Sequence, residues 1–388
     1  MFQLFSVGVE TTRDDWVYDF DLDNLEKKVK FFIEKYNQSI DKQNKDLTIK
    51  WSSSLDRYFN SKIKVNFDNK LIHNSLYRPF IKIKHYGEKI LNHRLTQNHY
   101  EMYSDNLKAK NIVIVFSGVG SNKPFHCISS LNIVDRGFIE TCQCLPLYRY
   151  EKGERIDNIT DWALTKFREY YHNVKRASSP SEDNRQDACF TDKESIFYYV
   201  YAVLHNPKYR EKYELNLKRE FPRIPFYDDF WQWANWGKQL MDLHLNYETI
   251  KPYELKRIDI PFEIHAPFPI LGTSKPSLTP PELGAGGQLS VKPKLKADKI
   301  NHKIIIDEVT TLTEIPPLAW EYKLGNRSAL EWILDQYKEK KPKDKTIAEK
   351  FNNYRFADYK EKVIDLLMKV TTISIETVKI VNEMNKLS

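Results

Sequence analysis

The sequence predicts an α+β protein with a β-rich subdomain, a set of central helices and a C-terminal α/β subdomain. Two patterns support this prediction. Between residues 61 and 150, short runs of β-branched and aromatic residues alternate with Gly, Asn and Asp, which is typical of strands joined by turns. Between residues 191 and 247, apolar residues recur at spacings of three and four, which indicates helices.

The composition describes a folded protein with a modest basic excess. The chain has 388 residues, of which 41% are hydrophobic and 29% charged, so extensive disorder is excluded. The net charge of +7 permits a polyanionic partner without requiring one. No apolar run has the length of a membrane span, and the N-terminus lacks the features of a signal peptide. We therefore expect a cytoplasmic protein without a membrane partner.

The first 60 residues predict a helical connector. Apolar residues recur on one face between residues 21 and 36, which indicates a helix there. The chain enters the sequence GVETTRDDW abruptly, as though it continued a preceding domain. We therefore assign residues 1–60 to a connector and residues 61–260 to the main body of the protein, β-rich first and then helical.

The densest basic excess lies in the β-rich part. Only Glu88 is acidic between Arg78 and Arg94, and this interval also contains Lys82 and Lys84. These side chains are candidates for contact with phosphates. The alternative is an ordinary solvated strand face, because alternating lysines also protect exposed strands.

A buried strand is predicted at NIVIVF, residues 111–116, and the loop SGVGSNK follows it. A strand followed by GxG is found in nucleotide-binding sites, but those require a helix next. Pro124 and an apolar run follow instead, so a hairpin turn is the favoured interpretation. Lys123 in this loop is a further candidate for contact with a DNA backbone.

The cysteines do not predict a metal site. The four cysteines include no CxxC pair, and Cys142 and Cys144 would point the same way on a strand, with only His126 nearby as a second ligand type. Structural zinc sites typically use cysteine pairs separated by two to four residues, and that ligand spacing is absent here. We expect core thiols and no metal in this chain.

The central helices carry the most distinctive stretch. A helix with Trp162, Phe167 and Tyr170 among its buried residues is predicted over 160–172, and a polar loop over 175–187. Thr191 and Glu194 have the spacing of a capping box, which predicts the start of a helix that is apolar nearly all round.

A second helix is predicted after this one. Asn206 and Pro207 fit a helix N-cap followed by proline in the first turn. An apolar stripe at four-residue spacing then extends to Phe221, and the segment ends in a basic turn with Arg219 and Arg223. The tetrapeptide NPKY superficially resembles the NPPY motif of amino-group DNA methyltransferases. Its helix-cap context and the lysine argue against that function.

The C-terminal third begins after a Pro- and Gly-rich stretch. A further amphipathic helix is predicted over 229–247, a linker or long loop over 261–300, and a separate subdomain over 301–388. Lys292 and Lys294 follow the proline-rich part. The subdomain has a strand at 304–306, a helix at 328–337 and a long closing helix at 359–384.

A metal-dependent nuclease is an alternative function for this subdomain. Asp307, Glu321 and Lys323 loosely fit a pattern in which two carboxylates hold Mg²⁺ and a lysine assists water. The spacing is permissive and arises often by chance, so we favour no catalytic residues in this chain.

Several long motifs in one order resemble a known family. These are GVETTRDDW, YRPF at Tyr77, LPLYRY at Leu145, YAVLHNPKYREKY with LKREFPRIPF, LGNRSALEW at Leu324, and YRFADYKEKVIDLL. Together they resemble the C-terminal specificity region of type ISP restriction-modification enzymes over nearly the whole chain. Those enzymes are single bacterial chains that join a nuclease, a helicase-like ATPase, an adenine-N6 methyltransferase and a target recognition domain.

The resemblance implies a module that reads an asymmetric double-stranded DNA sequence and presents it to the other domains. The β-rich part would then be a DNA-reading subdomain, and residues 1–60 would lead from a methyltransferase domain. S-adenosylmethionine, ATP and Mg²⁺ would bind only to the upstream domains, and this chain alone would hold no cofactor. The stretch from Leu271 to Gln288 is where we expect departure from relatives.

Such a module needs phosphate contacts for position and base-edge contacts for discrimination. Our candidates for either role, drawn from both halves of the chain, are Arg78, Lys82, Lys84, Arg94, Lys123, Arg219, Arg223, Lys292, Lys294, Asn326 and Arg327. A structural coupler that mainly holds neighbouring domains and touches DNA weakly is the remaining alternative.

Overall fold

The computed structural model describes residues 1–178, 192–260 and 291–387, and it confirms the α+β class. The helices within these ranges are α1 Asp14–Val17, α2 Leu22–Lys42, α3 Ser53–Asn60, α4 Gln97–Tyr103, α5 Asp161–Ser178, α6 Lys193–His205, α7 Pro207–Lys212, α8 Glu214–Leu217, α9 Phe230–Leu245, α10 Ala329–Gln336, α11 Lys345–Lys350 and α12 Lys360–Leu387.

In the described ranges, the strands form three four-stranded sheets and two hairpins. They are β1 Ser6–Val7, β2 Tyr18–Asp19, β3 Ile72–Arg78, β4 Ile81–Tyr86, β5 Val113–Ser117, β6 Cys127–Ser130, β7 Ile133–Val134, β8 Cys142–Pro146, β9 Tyr148–Glu151, β10 Glu154–Asp157, β11 Lys256–Asp259, β12 Pro293–Asp298, β13 Lys303–Asp307, β14 Thr310–Thr313, β15 Lys323–Leu324 and β16 Arg327–Ser328. The sheet orders are β1-β8-β5-β6, β2-β4-β3-β7 and β11-β14-β13-β12, and the hairpins are β9-β10 and β15-β16.

The strand predicted at residues 111–116 is β5, and all five of its residues are buried. It pairs antiparallel with β6, so the loop between them closes a hairpin as the sequence indicated. Cys142 and Cys144 are both buried on β8 as free thiols, in agreement with the prediction of core residues.

The larger hydrophobic core draws on segments from both ends of the chain. It contains Trp16 and Phe32 together with Ile304 and Leu367. The indole N–H of Trp16 donates to the carboxylate of Asp344 at 2.8 Å. Residues 1–60 therefore pack directly against the C-terminal helices. The division into four segments at 60, 260 and 300 stays a prediction.

A second core surrounds the central helices. It contains Phe167, Tyr199 and Trp236, with Met384 from the end of α12. α6 and α9 cross at Gly237, where a Cβ would collide with the backbone carbonyl of Tyr198. The glycine is required here by close approach of the two helix backbones.

The central helices differ from the sequence prediction in detail. Asp192 caps α6 by accepting from the N–H of Ser195 at 2.7 Å, whereas Thr191 lies outside the described residues. Trp162 is 63% exposed, because it occupies the solvent side of the first turn of α5. The prediction that a loop begins at residue 175 was wrong, since α5 extends to Ser178. The rest of the predicted loop, residues 179–187, lies outside the described residues.

The cap at Asn206 and the proline at the first position of α7 are confirmed. The helix predicted to continue to Phe221 breaks at Tyr213, where φ is −112° and ψ is 21°. A stripe at four-residue spacing drifts by about 40° per step around a helix of 3.6 residues per turn. The break lets both Tyr209 and Leu217 remain buried.

The proline-rich stretch joins two strands of one sheet. β11 ends at Asp259 and β12 begins at Pro293, and these strands form the two edges of the sheet. The predicted linker thus contains a strand in its last part, and its residues 261–290 lie outside the described residues. In the described ranges, no helix has the length and apolar character needed to cross a membrane.

Candidate nucleic-acid interface

The loop between β5 and β6 holds Lys123 in place through an acidic neighbour. The carboxylate of Glu140 accepts hydrogen bonds from the hydroxyl of Ser121 at 2.5 Å and from the N–H of Asn122 at 2.9 Å. Gly118 lies against the backbone of Thr141, to whose carbonyl it donates at 2.7 Å. These contacts fix the loop on the strand that follows residue 141, and Lys123 is half-buried at its end.

A hairpin from the C-terminal part meets this loop. β15 and β16 are joined by Gly325 and Asn326, and Gly325 has a φ of +67°, a conformation that favours glycine. A Cβ at Gly325 would lie 3.0 Å from Ile139 and 3.7 Å from the Cβ of Lys123. Lys123 precedes the proline-rich stretch in the sequence and the exposed Asn326 follows it. The contact between the loop and the hairpin therefore brings these two residues close together.

The basic turn after α8 contacts the same loop. The N–H of Gly120 donates to the carbonyl of Lys218 at 2.8 Å, which places Arg219 beside the loop. Arg219 is exposed, and within the described ranges its side chain has no ion-pair partner. Arg223 is 85% exposed and pairs with Glu220 at 2.8 Å on the rim of a groove of about 340 Å³.

Arg78 is directed inward. Its guanidinium pairs with Asp135 at 2.7 Å and lies 3.8 Å from the centre of the Tyr77 ring. The side chain retains 18% exposure, and it borders an open cleft of about 270 Å³ that also includes Thr12, Arg136 and Thr141. Burial raises the pKa of Asp135 to about 6, and the charge of Arg78 opposes that rise.

Arg136 also borders this cleft, although its place there was not predicted from the sequence. This side chain pairs with Glu10, which also approaches Arg94 at 3.5 Å. The backbones meet here because Gly8 lies against Asp135 and Arg136, where a Cβ would fall 2.7 Å from their atoms. The motif GVETTRDDW supplies both Gly8 and Glu10, so the motif itself was the available signal.

The two lysines on β4 also have partners. Lys82 pairs with Glu248, which follows α9, and Lys84 donates to the side-chain oxygen of Asn74 on β3 at 2.9 Å. Both side chains are half-buried. The strand face is therefore engaged with the adjacent strand through Lys84 and with a residue distant along the chain through Lys82.

The candidates of the C-terminal part are divided between two places. Arg327 pairs with Asp335 at 3.2 Å and lies 5.1 Å from the centre of the Trp332 ring, next to Asn326. Lys292 and Lys294 are exposed at the start of β12, on a different sheet. The structure thus brings together Lys123, Asn326, Arg327 and Arg219 and leaves these two lysines on an edge strand.

The arrangement proposed for a metal nuclease does not form a ligand cluster. One oxygen of Asp307 pairs with Lys360 at 2.7 Å, and the other accepts the N–H groups of Val309 and Thr310. Glu321 and Lys323 are exposed. In the described part of the chain, no group of three or more His, Cys, Asp or Glu residues is arranged to hold a metal ion.

Solved structures share this fold. The chain superposes over 98% of its length on 36% of the protein chain in a DrdV–DNA complex determined by cryo-electron microscopy, with a TM-score of 0.84 and 42% identity. It also matches a nuclease-deletion mutant of the type ISP restriction-modification enzyme LlaGI, solved in complex with a DNA substrate mimic. That match covers 99% of this chain and 33% of the other, with a TM-score of 0.75 and 27% identity.

A third match shows the fold alone. LlaBIII, an ATP-dependent type ISP enzyme bound to DNA, has 24% identity and a TM-score of 0.78, with 100% of this chain matched to 23% of the other. This chain therefore spans 23% to 36% of the length of these three proteins. No curated protein sequence matches it significantly.

The resemblance seen in the motifs is confirmed by a family model. The model of the type ISP C-terminal specificity domain matches residues 1–366, which is nearly the whole chain. With the fold shared by the DrdV and LlaGI structures, this match establishes that the chain belongs to the family of type ISP C-terminal specificity domains.

Proposed function

We propose that this chain binds double-stranded DNA and reads its target sequence for a restriction-modification enzyme. The observation that carries the proposal is the 42% identity over 98% of the chain with a protein solved in complex with DNA. The site supports it, because Lys123 and Asn326 converge from two parts of the chain. A cation at a phosphate sets position, and an amide such as that of Asn326 can bond to a base edge.

The proposal extends to the division of labour in the longer enzyme. The chain would contribute recognition and no catalysis, and its partners would be adenine-N6 methyltransferase and helicase-like domains of one polypeptide in the cytoplasm. S-adenosylmethionine, ATP and Mg²⁺ would then bind to those domains. The occupied carboxylate of Asp307 supports this division, since a nuclease would need it free for metal.

Selection of DNA from a random pool by the purified chain tests the proposal. We expect enrichment of a single asymmetric site, and a Lys123→Ala/Asn326→Ala variant should enrich it poorly. Lys152→Ala is the matched control, because Lys152 is an exposed lysine in the β9–β10 turn, on a different hairpin from Lys123 and Asn326. If the wild-type chain enriches no sequence even at low salt, the proposal that it recognises a target sequence is rejected.

A structural coupler is the second candidate, and one observation favours it. Five of the predicted cations are already paired with carboxylates: Arg78, Lys82, Arg94, Arg223 and Arg327. A coupler would bind DNA weakly and without sequence preference. Equal affinity for the selected site and for a shuffled duplex of the same length would identify that function.

A further inference from the structure

Arg210 of α7 is half-buried and carries a charge without an acidic partner among the described residues. Its Nε donates to the carbonyl of Leu204 at 2.6 Å, and its guanidinium carbon lies 5.4 Å from the centre of the Phe125 ring. Among the described residues, no carboxylate forms an ion pair with it. Burial lowers the pKa of Arg210, and the side chain stays a cation at neutral pH. An unpaired cation that is partly withdrawn from water is unfavourable, so such charges in proteins are normally paired.

Buried polar atoms without hydrogen-bond partners belong to residues near Arg210, whose charge acts on three of them, His126, His205 and Tyr322. In the described part of the chain, partners are missing for Nδ2 of Asn206, the hydroxyl of Tyr322, and Nε2 of both His126 and His205. These four residues are at most 6% exposed. Because buried polar groups are almost always hydrogen-bonded, several unsatisfied atoms around one cation indicate a missing ligand.

Packing contacts link these groups into one neighbourhood of the fold. Asn206 is the N-cap of α7 and lies one turn before Arg210. The N–H of Arg210 donates to the carbonyl of Asn206 at 3.0 Å. The ring of Tyr322 stacks on His244 at 5.4 Å, and His244 lies 5.5 Å from His205. The charge of Arg210 acts on both histidines and on the hydroxyl of Tyr322.

The available groups are mainly donors. The guanidinium, the amide nitrogen of Asn206 and the hydroxyl of Tyr322 each offer N–H or O–H hydrogens. Burial, reinforced by the charge of Arg210, lowers the pKa of His205, so its ring is neutral and adds no second charge. A planar guanidinium fork with neutral donors beside it fits an oxyanion better than a second cation or an apolar group.

We propose that Arg210, Asn206 and Tyr322 form a binding site for a phosphate-type oxyanion beside the Lys123 loop. Phe125 and Lys123 belong to the loop that adjoins Arg210, and Tyr322 directly precedes the hairpin that carries Asn326. The anion would be either a backbone phosphate of DNA or free inorganic phosphate. Only the first source rests on the proposed function, and the two are separated by experiment.

Thermal unfolding in inorganic phosphate tests the site without DNA. We expect saturating phosphate to raise the Tm of the wild-type chain by roughly 3–5 °C more than that of Arg210→Gln. The reason is that a ligand that binds only the folded state stabilises it. Tyr322→Phe, which removes only the hydroxyl and preserves packing, should lose part of this shift. If Arg210→Gln does not fold, the Tm shift of Tyr322→Phe relative to wild type tests the site instead. Arg155→Gln is the matched control, because Arg155 also lies over an aromatic ring, 4.3 Å from that of Tyr148, but is exposed.

Phosphate also stabilises folded proteins non-specifically, through exclusion from their surface, and this effect is the same in all four proteins. An equal rise of Tm in wild type, Arg210→Gln, Tyr322→Phe and Arg155→Gln would overturn the proposal. Arg210 would then cap the carbonyls at the end of α6, with water satisfying its neighbours. A rise that exceeds the control only when Arg210 and Tyr322 are intact supports the site.

A series of DNA duplexes identifies the source of the anion. Each duplex carries one methylphosphonate, which removes the charge of a single backbone phosphate. If DNA supplies the anion, one position should weaken wild-type binding roughly tenfold and leave Arg210→Gln unaffected. If every position affects both proteins alike, while the Tm response persists, the ligand is free phosphate. Failure of the chain to bind any duplex would reject the proposed function alone, because the Tm measurement needs no DNA.

Discussion

At the scale of single residues, Arg78 shows how a cation that stands out in the sequence can be engaged inside the fold. Its guanidinium is held between the carboxylate of Asp135 and the ring of Tyr77. Asp135 also accepts the N–H of Gly137 at 2.9 Å, so the carboxylate organises the turn that leads to Glu140. The function of Arg78 is therefore testable as a choice between phosphate contact and support of this turn.

We expect Arg78→Ala to lower the free energy of unfolding by roughly 2–4 kcal/mol, because it leaves the buried Asp135 without its counter-charge. Chemical denaturation measures this loss. The double variant Arg78→Ala/Asp135→Asn should lose less than the sum of the single changes, because the two groups interact. A stable Arg78→Ala chain whose DNA affinity falls less steeply with salt would instead show phosphate contact.

Lys123 should behave in the opposite way. We expect Lys123→Ala to change stability little, since its side chain has no ion pair among the described residues. The slope of log affinity for DNA against log salt should flatten by about 0.9, the value for one lost phosphate contact. Titrations at three or more salt concentrations measure the slope, with Lys152→Ala as the control. An unchanged slope would exclude Lys123 from the phosphate contacts.

Candidate residues could be found from the sequence, but their partners could not. The basic excess between Arg78 and Arg94 is visible in the sequence, whereas the carboxylates that engage it come from Asp135, Glu248 and Glu10. These residues are far away in the chain, and only the sheet registers and the crossing of segments bring them near. The convergence of Lys123 with Asn326 was unpredictable for the same reason.

At the scale of helices and strands, the crossing of α6 and α9 depends on one missing methyl group. In an isolated helix, replacing a glycine by alanine stabilises by about 1 kcal/mol. At Gly237 the added Cβ would meet the carbonyl of Tyr198 and lie 3.2 Å from the N atom of Ala202, both of them backbone groups that cannot rotate away. Packing and helix propensity therefore predict opposite results.

We expect packing to prevail, so that Gly237→Ala destabilises the chain by about 3 kcal/mol. Denaturant titration followed by tryptophan fluorescence would report it, since Trp233 and Trp236 lie in the same helix. Gly153→Ala is the comparison, because Gly153 has a φ of +84° but open space around it, and should cost only about 1 kcal/mol. Stabilisation by Gly237→Ala would show that the two helices separate easily.

Local elements were predictable where the pattern was long. The helices now seen as α2, α9 and α12 follow from regular apolar spacing, and the helix predicted over 328–337 is α10, which begins at a capping box formed by Ser328 and Glu331. The break at Tyr213 and the exposure of Trp162 were not predictable, because each depends on which face the rest of the molecule covers. Spacing indicates a face but does not say what lies against it.

At the scale of the whole molecule, several buried histidines tie stability to pH. Burial lowers the pKa of His85, His99 and His126 to about 4 and that of His244 to about 3. In the unfolded chain a histidine titrates near 6.5. Between these values the unfolded state binds protons that the folded state does not, so acidification favours unfolding.

Stability should therefore be full above about pH 6.5 and fall as the pH drops towards 4, by up to about 1.4 kcal/mol per pH unit for each such histidine. The raised pKa of Asp135 acts in the opposite direction over the same range, as a single group. Chemical denaturation at about pH 7.5, 6 and 5 would measure this loss of stability. Replacing the exposed His302 by Asn should not alter the slope, and constant stability down to pH 5 would contradict the expectation.

The plan of the whole chain was the least predictable level. The α+β class and its β-rich first half follow from local patterns, but the shared core of Trp16 with Leu367 does not. Cores form between segments that are remote in the sequence, and composition shifts mark neither their number nor their members. Family motifs supplied what local physics did not, since their order over the whole chain already indicated the type ISP specificity domain.

The two ends of the proline-rich stretch meet the same turn. The N–H of Ile260 donates to the carbonyl of Val309 at 2.8 Å, and the N–H of Lys292 approaches the carboxylate of Glu308 at 3.5 Å. The β13–β14 turn therefore holds both flanks of the stretch at one place, and a segment of different length or sequence can be exchanged between these flanks. For protein engineering, this is the position at which to graft a foreign loop or to open the chain for circular permutation.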